Sequence, residues 1–251
     1  MLQSFIGSGI VEIAPYDAAV DFYSRKFRDT GNNSAFDYKF AVNDRKLSSF
    51  RSPAGGTYAS APKIDSVTGT IAMRDFSAEN LELALWGTSS SGGTTAITGE
   101  AHKIHAGAFI PTKRFINTTV APVVKKGATT VDTDDYTVDE HGITIAAAIT
   151  TVGVTDGDAI TIDYTPKASI SIQSLVTSAP LVSIFLRGFD AVSGEPHSLA
   201  IWKAKLGAAD TVAQIGEDFG TLSLTYTAEE DATITGAGLS KYMLLQQLAA
   251  A

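Results

Sequence analysis

Residues 67–87 read Val67-Thr68-Gly69-Thr70-Ile71-Ala72-Met73-Arg74-Asp75-Phe76-Ser77-Ala78-Glu79-Asn80-Leu81-Glu82-Leu83-Ala84-Leu85-Trp86-Gly87. The first seven form a strand pattern, and the chain then runs directly into the one clear helix signal in the sequence. Asp75 or Ser77 can cap that helix, Glu79 puts an acid in its first turn, good helix formers follow, and Gly87 supplies a stop. The expected helix covers residues 76–86, about three turns. Around it the pattern is strand: residues 9–14, 35–42, 106–110, 169–176, 181–189, 198–205 and 221–227. Apolar side chains recur at every second residue in Phe36, Tyr38, Phe40 and Val42, and again in Leu222, Leu224 and Tyr226. The expected fold is mainly β with one flanking helix.

The chain has 251 residues, 44% hydrophobic and 18% charged, with 22 glycines, which is the composition of an ordered protein of one or two domains. With no cysteine, a disulfide framework, a thiolate metal site and a cysteine nucleophile are all excluded. Residues 1–10 lack the basic start and long apolar run of a secretory signal, and no stretch approaches the ~18 apolar residues of a membrane span. A soluble product of a cytoplasm, away from membranes, is therefore expected. The net charge of −8 argues against a grip on nucleic acid that depends on neutralising phosphates.

That charge is unevenly spread. Residues 125–166 hold eight acids (Asp132, Asp134, Asp135, Asp139, Glu140, Asp156, Asp158 and Asp163) against Lys125 and Lys126, so they carry −6 of the −8. Two acidic strand patterns lie there, Asp135-Tyr136-Thr137-Val138-Asp139 and Ala159-Ile160-Thr161-Ile162-Asp163-Tyr164-Thr165, each with one wet and one dry face. Breaks near 112–119 and at Pro166 mark this part as an acidic β-hairpin insertion at 113–166, within a main domain of 1–112 plus 167–251. Residues 44–63 read as a long basic connection with Pro53, Gly55, Gly56 and Pro62, well beyond the usual ~4–6 residues. Residues 88–93, rich in Ser and Gly, read as a flexible linker.

Few residues suggest chemistry. His102-x-x-His105 has metal-ligand spacing, but a zinc site on a helix would also need a nearby general base. The clusters Asp132-x-Asp134-Asp135 and Asp156-Gly157-Asp158 lack the rest of a calcium loop and fit turn chemistry better. Ser89, Ser90 and Ser91 sit in no nucleophile elbow, and Gly7-Ser8-Gly9 precedes a strand where a phosphate loop would follow one. The acidic pairs Glu217 with Asp218 and Glu229 with Glu230 read as solvated faces. Neither an enzyme nor a bound cofactor or metal is expected.

Other features follow one another in a telling order. Ile6-Gly7-Ser8-Gly9 leads into the first strand, and Asp29-Thr30-Gly31-Asn32-Asn33-Ser34 into the strand at 36–42. The long basic connection comes next, then the strand and helix of residues 67–87. Leu186-Arg187-Gly188-Phe189-Asp190, Gly194-Glu195-Pro196 and Asp218-Phe219-Gly220-Thr221-Leu222-Ser223-Leu224 mark the later strands. In this order the chain resembles, over most of its length, the tail tube protein (major tail protein) of long-tailed bacteriophages.

The resemblance implies a tail-tube-type β-sandwich or barrel with a flanking helix, assembled as homohexameric rings stacked into the tube of a siphovirus-like tail. It implies a structural virion protein, put together in the host bacterial cytoplasm, with a tape-measure protein, a tail terminator and tail-tip proteins as partners. DNA would pass through the lumen without specific binding, past a wall weakly repulsive to phosphate. Contacts between rings are expected from the basic connection, with Arg45, Lys46, Arg51, Tyr58 and Lys63 as candidates. The apolar ends, residues 1–8 and Tyr242-Met243-Leu244-Leu245, are expected to dock on neighbouring copies. Two other readings stand beside this one: a secretion-system tube protein, and a carbohydrate-binding or adhesive β-sandwich using Trp202 or Tyr164 as a stacking platform.

Overall fold

The structure, a computed structural model, describes residues 6–51 and 55–248. It is mainly β, with 49% of residues in strands, 6% helical and, among the described residues, a single α-helix. In chain order the elements begin with β1 (Gly7–Pro15), a 3-10 turn (Phe22–Ser24), β2 (Arg28–Asp29), β3 (Asn33–Ser48), β4 (Thr57–Met73) and α1 (Ala78–Leu85). There follow β5 (Thr88–Gly92), β6 (Ile97–Lys103), β7 (Phe109–Pro111), β8 (Val123–Lys126), β9 (Thr129–Thr130), β10 (Tyr136–Val138), β11 (Gly142–Ile145) and β12 (Ala159–Tyr164). The last are β13 (Ser169–Gln173), β14 (Leu181–Asp190), β15 (Pro196–Leu206), β16 (Leu222–Ala228) and β17 (Met243–Gln247). They divide into two compact units, one running up to Thr88 and resuming at Ile172, the other Ser89–Ser171.

In the first unit one eight-stranded antiparallel sheet runs β2-β1-β14-β15-β16-β4-β3, with β17 also on β15. The sheet forks at β15, whose residues Ala204, Lys205 and Leu206 pair with β16 while His197 to Ile201 pair with β17. Alternation explains the core. In β16, Leu222, Leu224, Tyr226 and Ala228 are buried and the residues between them exposed, as period-two patterning requires of a strand with one dry face. They pack with Val11, Ile13, Ile71, Met73, Val182, Ile184, Leu199 and Ile201. Strand β15 is covered on both faces, because Trp202 lies on the side away from Ile201, against Phe22 and Phe27. Its indole meets Phe22 edge to face at 4.9 Å.

Tyr226 crosses over Gly69, its register partner, and donates to Asp37 O at 2.8 Å. A Cβ at Gly69 would lie 2.5 Å from the tyrosine ring and 2.1 Å from that carbonyl, so the crossing requires glycine. The helix is one turn shorter than expected. Ser77 is its cap, accepting from Asn80 N, while Asp75 instead accepts from Asn32 N. The left-handed residue at its C-terminal end is Trp86, with φ 47°, and the N–H of Gly87 reaches back to Glu82 O. Gly87 serves close approach, since a Cβ there would stand 2.5 Å from Gln173 O.

The second unit corrects the expected insertion at 113–166. Strands β10 and β11 form a hairpin joined by β7, whereas β12 pairs with β6 and β8 in another sheet, β6-β12-β8-β9. The two acidic strands are therefore not one hairpin, and they need β6 and β7, which precede residue 113. Ile104, Ile110, Ile116, Val124, Tyr136, Ile143, Ile145, Ile160, Ile162 and Tyr164 make a separate core. Residues 88–93 are not a flexible linker either, because β5 pairs with β13. Arg114 reinforces that ribbon by donating to Gly93 O at 3.0 Å and to Ser169 Oγ at 3.3 Å.

Several acids of this unit are engaged by donors of the same unit. Buried Asp135 accepts four hydrogen bonds, from the N–H and hydroxyl groups of Thr150 and Thr151. Asp158 takes Lys126 Nζ together with the N–H and hydroxyl of Thr155, and Asp163 takes Lys125 Nζ and Gly99 N. Led by the Thr151 hydroxyl, these donors hold the Asp135 carboxyl at about 2, below its ordinary 3.8.

Excising Ser89–Ser171 behind a short linker is expected to leave a protein with cooperative unfolding and dispersed amide resonances. Excising 113–166 strands β6 and β7 and is expected to abolish both. A folded 113–166 deletion would contradict the assignment of units. A second expectation concerns pH. Because the folded pKa of Asp135 is depressed, its stabilisation is fully present above 3.8 and disappears as pH falls towards about 2. Asp135→Asn should lower the urea midpoint of the second unit at pH 7 and flatten its decline between those values. An unchanged slope would contradict the role given to this carboxylate.

Candidate functional site

Strand β4 has β16 on one side only as far out as Val67, which pairs with Ala228. Beyond that point β3 and β4 continue as a ribbon of two strands, from Val42 opposite Ile64 to Ser48 opposite Thr57. At ~3.3 Å per residue this arm extends about 20 Å past the wider sheet. The expected connection at 44–63 is thus mostly strand. Pro62, which argued for a loop, is tolerated because β4 has no second neighbour there.

An apolar stripe that is about half exposed runs along β3 onto the base of the arm. Phe36, Tyr38 and Phe40 stand opposite Ile71, Gly69 and Val67, on the core side of the sheet, and Val42 opposite Ile64 continues the row outwards. Exposure rises along it: Phe36 packs against the core, whereas Tyr38 is 40% exposed, Phe40 51%, Val42 58% and Ile64 53%. Tyr38 and Phe40 meet edge to face at 5.5 Å. Leu47, Tyr58 and, near the tip, Phe50 are also exposed. Strand β3 is in addition the last of its sheet, so its outer edge has no strand partner among the described residues. Scattered exposed apolar residues are ordinary, but a continuous row on an edge strand marks an interaction surface.

The five residues expected to make contacts lie on this arm without forming one patch. Arg45 and Lys63 share a face, being opposite Ala61 and Asn43, while Lys46, opposite Ser60, falls on the other. Arg51 lies beyond β3 near the tip, and Tyr58 is the extra residue at a register shift between Leu47 and Ser48. None of the four cations makes an ion pair among the described residues. Sequence reasoning missed Tyr38, Phe40, Val42, Ile64 and Phe50 as surface residues. The alternation was visible, but not that the row outruns the sheet able to cover it.

The remaining candidates are accounted for by local contacts. His102 is in β6, paired at 2.7 Å with the buried Glu100, whereas His105 faces Asp156 at 3.5 Å, so each histidine has its own acid. Burial works to raise the Glu100 carboxyl, but hydrogen bonds from Tyr164 Oη, Lys113 N and His102 outweigh it and hold it below the ordinary range. Tyr164 is itself buried, as is Trp202, whose Nε1 donates to Ser240 O. Neither can serve as an exposed stacking platform. The run at 242–245 is no free end, because β17 lies along β15 of its own chain, though Leu244 and Leu245 remain part exposed. Of residues 1–8, the first five lie outside the described residues, Ile6 N donates to Asp190 and Gly7 and Ser8 open β1. No helix among the described residues is long and apolar enough to cross a membrane.

Substituting Val42, Leu47 and Ile64 by threonine is expected to leave the unfolding free energy of the dilute protein within about 0.5 kcal/mol, as for other surface positions. A loss of about 2 kcal/mol or more, the signature of core truncation, would show that the stripe is covered within one copy. No curated protein matches the chain. Residues 4–246 match the model of the family described as Protein of unknown function UCP028589, and the chain belongs to that family.

Proposed function

We propose that this chain is a structural virion protein, the tail tube protein of a long-tailed bacteriophage. Copies close into hexameric rings, rings stack into a hollow tube, and DNA passes through the lumen without specific binding. The observation that carries the reading is the half-exposed stripe Tyr38, Phe40, Val42 and Ile64 on an edge ribbon. Such a surface calls for a partner strand or face, and a ring of identical copies supplies one to every member without leaving a free edge. The resemblance of the strand, helix and later-strand motifs to that family points the same way.

Stacking needs a different contact, made between unlike patches, and such contacts grow open filaments. The unpaired cations Arg45, Lys46 and Arg51 on the arm suit it, because the remainder of the chain is acidic. In this reading a tape-measure protein sets tube length, terminator and tip proteins close the two ends, and assembly takes place in the host cytoplasm.

Negative-stain electron microscopy of the purified protein at rising concentration is expected to show rings and then tubes. Isolated particles at every concentration would overturn the proposal. Reversing Arg45, Lys46 and Arg51 to glutamate should leave rings while shortening or abolishing tubes, and unchanged tube length and yield would exclude those residues from stacking.

A further inference from the structure

We propose that Phe50, near the tip of the β3–β4 arm of one copy, seats in a cavity of the first unit of a second copy, a contact that rests on the self-assembly reading above. The cavity, of about 590 Å³, lies between the 3-10 turn Phe22–Ser24 and the segment at 231–244, lined among others by Phe22, Arg25, Trp202, Asp231, Leu239 and Met243. A cavity of about 150 Å³ already admits benzene, so a benzyl side chain fits. Its walls combine aromatic and aliphatic side chains, the surroundings a phenylalanine ring prefers, with the polar groups of Asp21, Arg25, Asp231 and Thr233.

Two features show that the cavity is built to receive something. Arg25 is only 9% exposed, lies over the Tyr16 ring at 4.7 Å, and donates to Ser183 Oγ, Trp202 O and Asp17 O. Its Nε, though buried, has no acceptor among the described residues. Buried donors are almost always paired, so an acceptor such as a main-chain carbonyl of an incoming segment would complete the set. Of the acids lining the cavity, Asp21 accepts only the N–H of Tyr23, Asp231 accepts from Tyr16 Oη and Thr233, and neither makes an ion pair among the described residues.

Charge selects the occupant. Four apolar side chains are nearly fully exposed: Phe50 at 91%, Val152 at 90%, Ile215 at 97% and Phe219 at 88%. Val152 is aliphatic and belongs to the second unit, which is net acidic. Ile215 and Phe219 flank Glu217 and Asp218, which an acidic rim would repel, whereas Phe50 stands beside Arg51 and near Lys46. The arm tip and the cavity are different patches, so the contact is heterologous and repeats from copy to copy.

The absence of native cysteine permits a direct test on the full chain. Ser49→Cys protein is mixed with Leu239→Cys protein and treated with a short bismaleimide, and Phe219→Cys replaces Ser49→Cys as the control. The Ser49/Leu239 pair should give a heterodimer in about tenfold excess over the control. Adding Phe50→Ala should remove about as much, as loss of a buried anchor does. Equal cross-linking in both mixtures, from protein that sediments as oligomers, would overturn the cavity assignment while leaving self-assembly standing. Wild-type protein that sediments as a monomer at every concentration would instead overturn self-assembly itself.

Discussion

A ribbon of two strands is marginal in water, since each strand has one neighbour and its dry face no cover. That constraint acts on this chain wherever β3 and β4 pass beyond Val67. Up to that point β16 supports β4, and Phe36 packs on the core against Tyr226, their rings stacked 6.0 Å apart. Tyr38 and Phe40 next along the row are already about half exposed, and beyond Val67 it ends in Val42 opposite Ile64 before Asp44 and Lys46 take over that face. The chain thus carries a longer apolar row than one copy can cover, and burying it accounts for the proposed association.

Part of this was legible in the sequence. Leu222, Leu224 and Tyr226 alternate as a strand with one buried face, and they are the centre of the core. Phe36 to Val42 alternate equally well, yet most of that row is exposed, because periodicity reports which side chains share a face and not whether anything covers it. The arm read as a loop because Pro53, Gly55, Gly56 and Pro62 are turn signals, whereas β3 runs to Ser48 and β4 starts at Thr57, so that Pro62 lies in a strand. Trp202 stood in the sequence as a candidate exposed platform, and the 3-10 turn with Phe22 supplies a cover for it that no local pattern announces.

The second unit was half visible. Its acidic strands were found, but not their partners, since β12 pairs with β6 some sixty residues earlier, Ala159 opposite Lys103. Pairing at that separation leaves no local mark, which is why the boundary at Ser89 was missed. The clusters at 132–135 and 156–158 were read as turn formers, and Asp132, Asp135, Asp156 and Asp158 do accept N–H groups of the same unit. Asp135, Asp158 and Asp163 spend their oxygens on N–H groups, hydroxyls and lysines of their own unit. Much of the net charge of the chain is accordingly tied to local structure, and the arm, with four cations against Asp44, differs in sign from the molecule that bears it.

The central claim is that a second copy covers the stripe on β3 and β4. Amide hydrogen exchange, followed as protein concentration rises, tests it most directly. The account predicts rapid exchange across 42–48 and 57–64 in dilute protein and strong, concentration-dependent protection of both strands on assembly, with the second unit unchanged. Assembled protein in which those amides exchange as fast as in the monomer would contradict it.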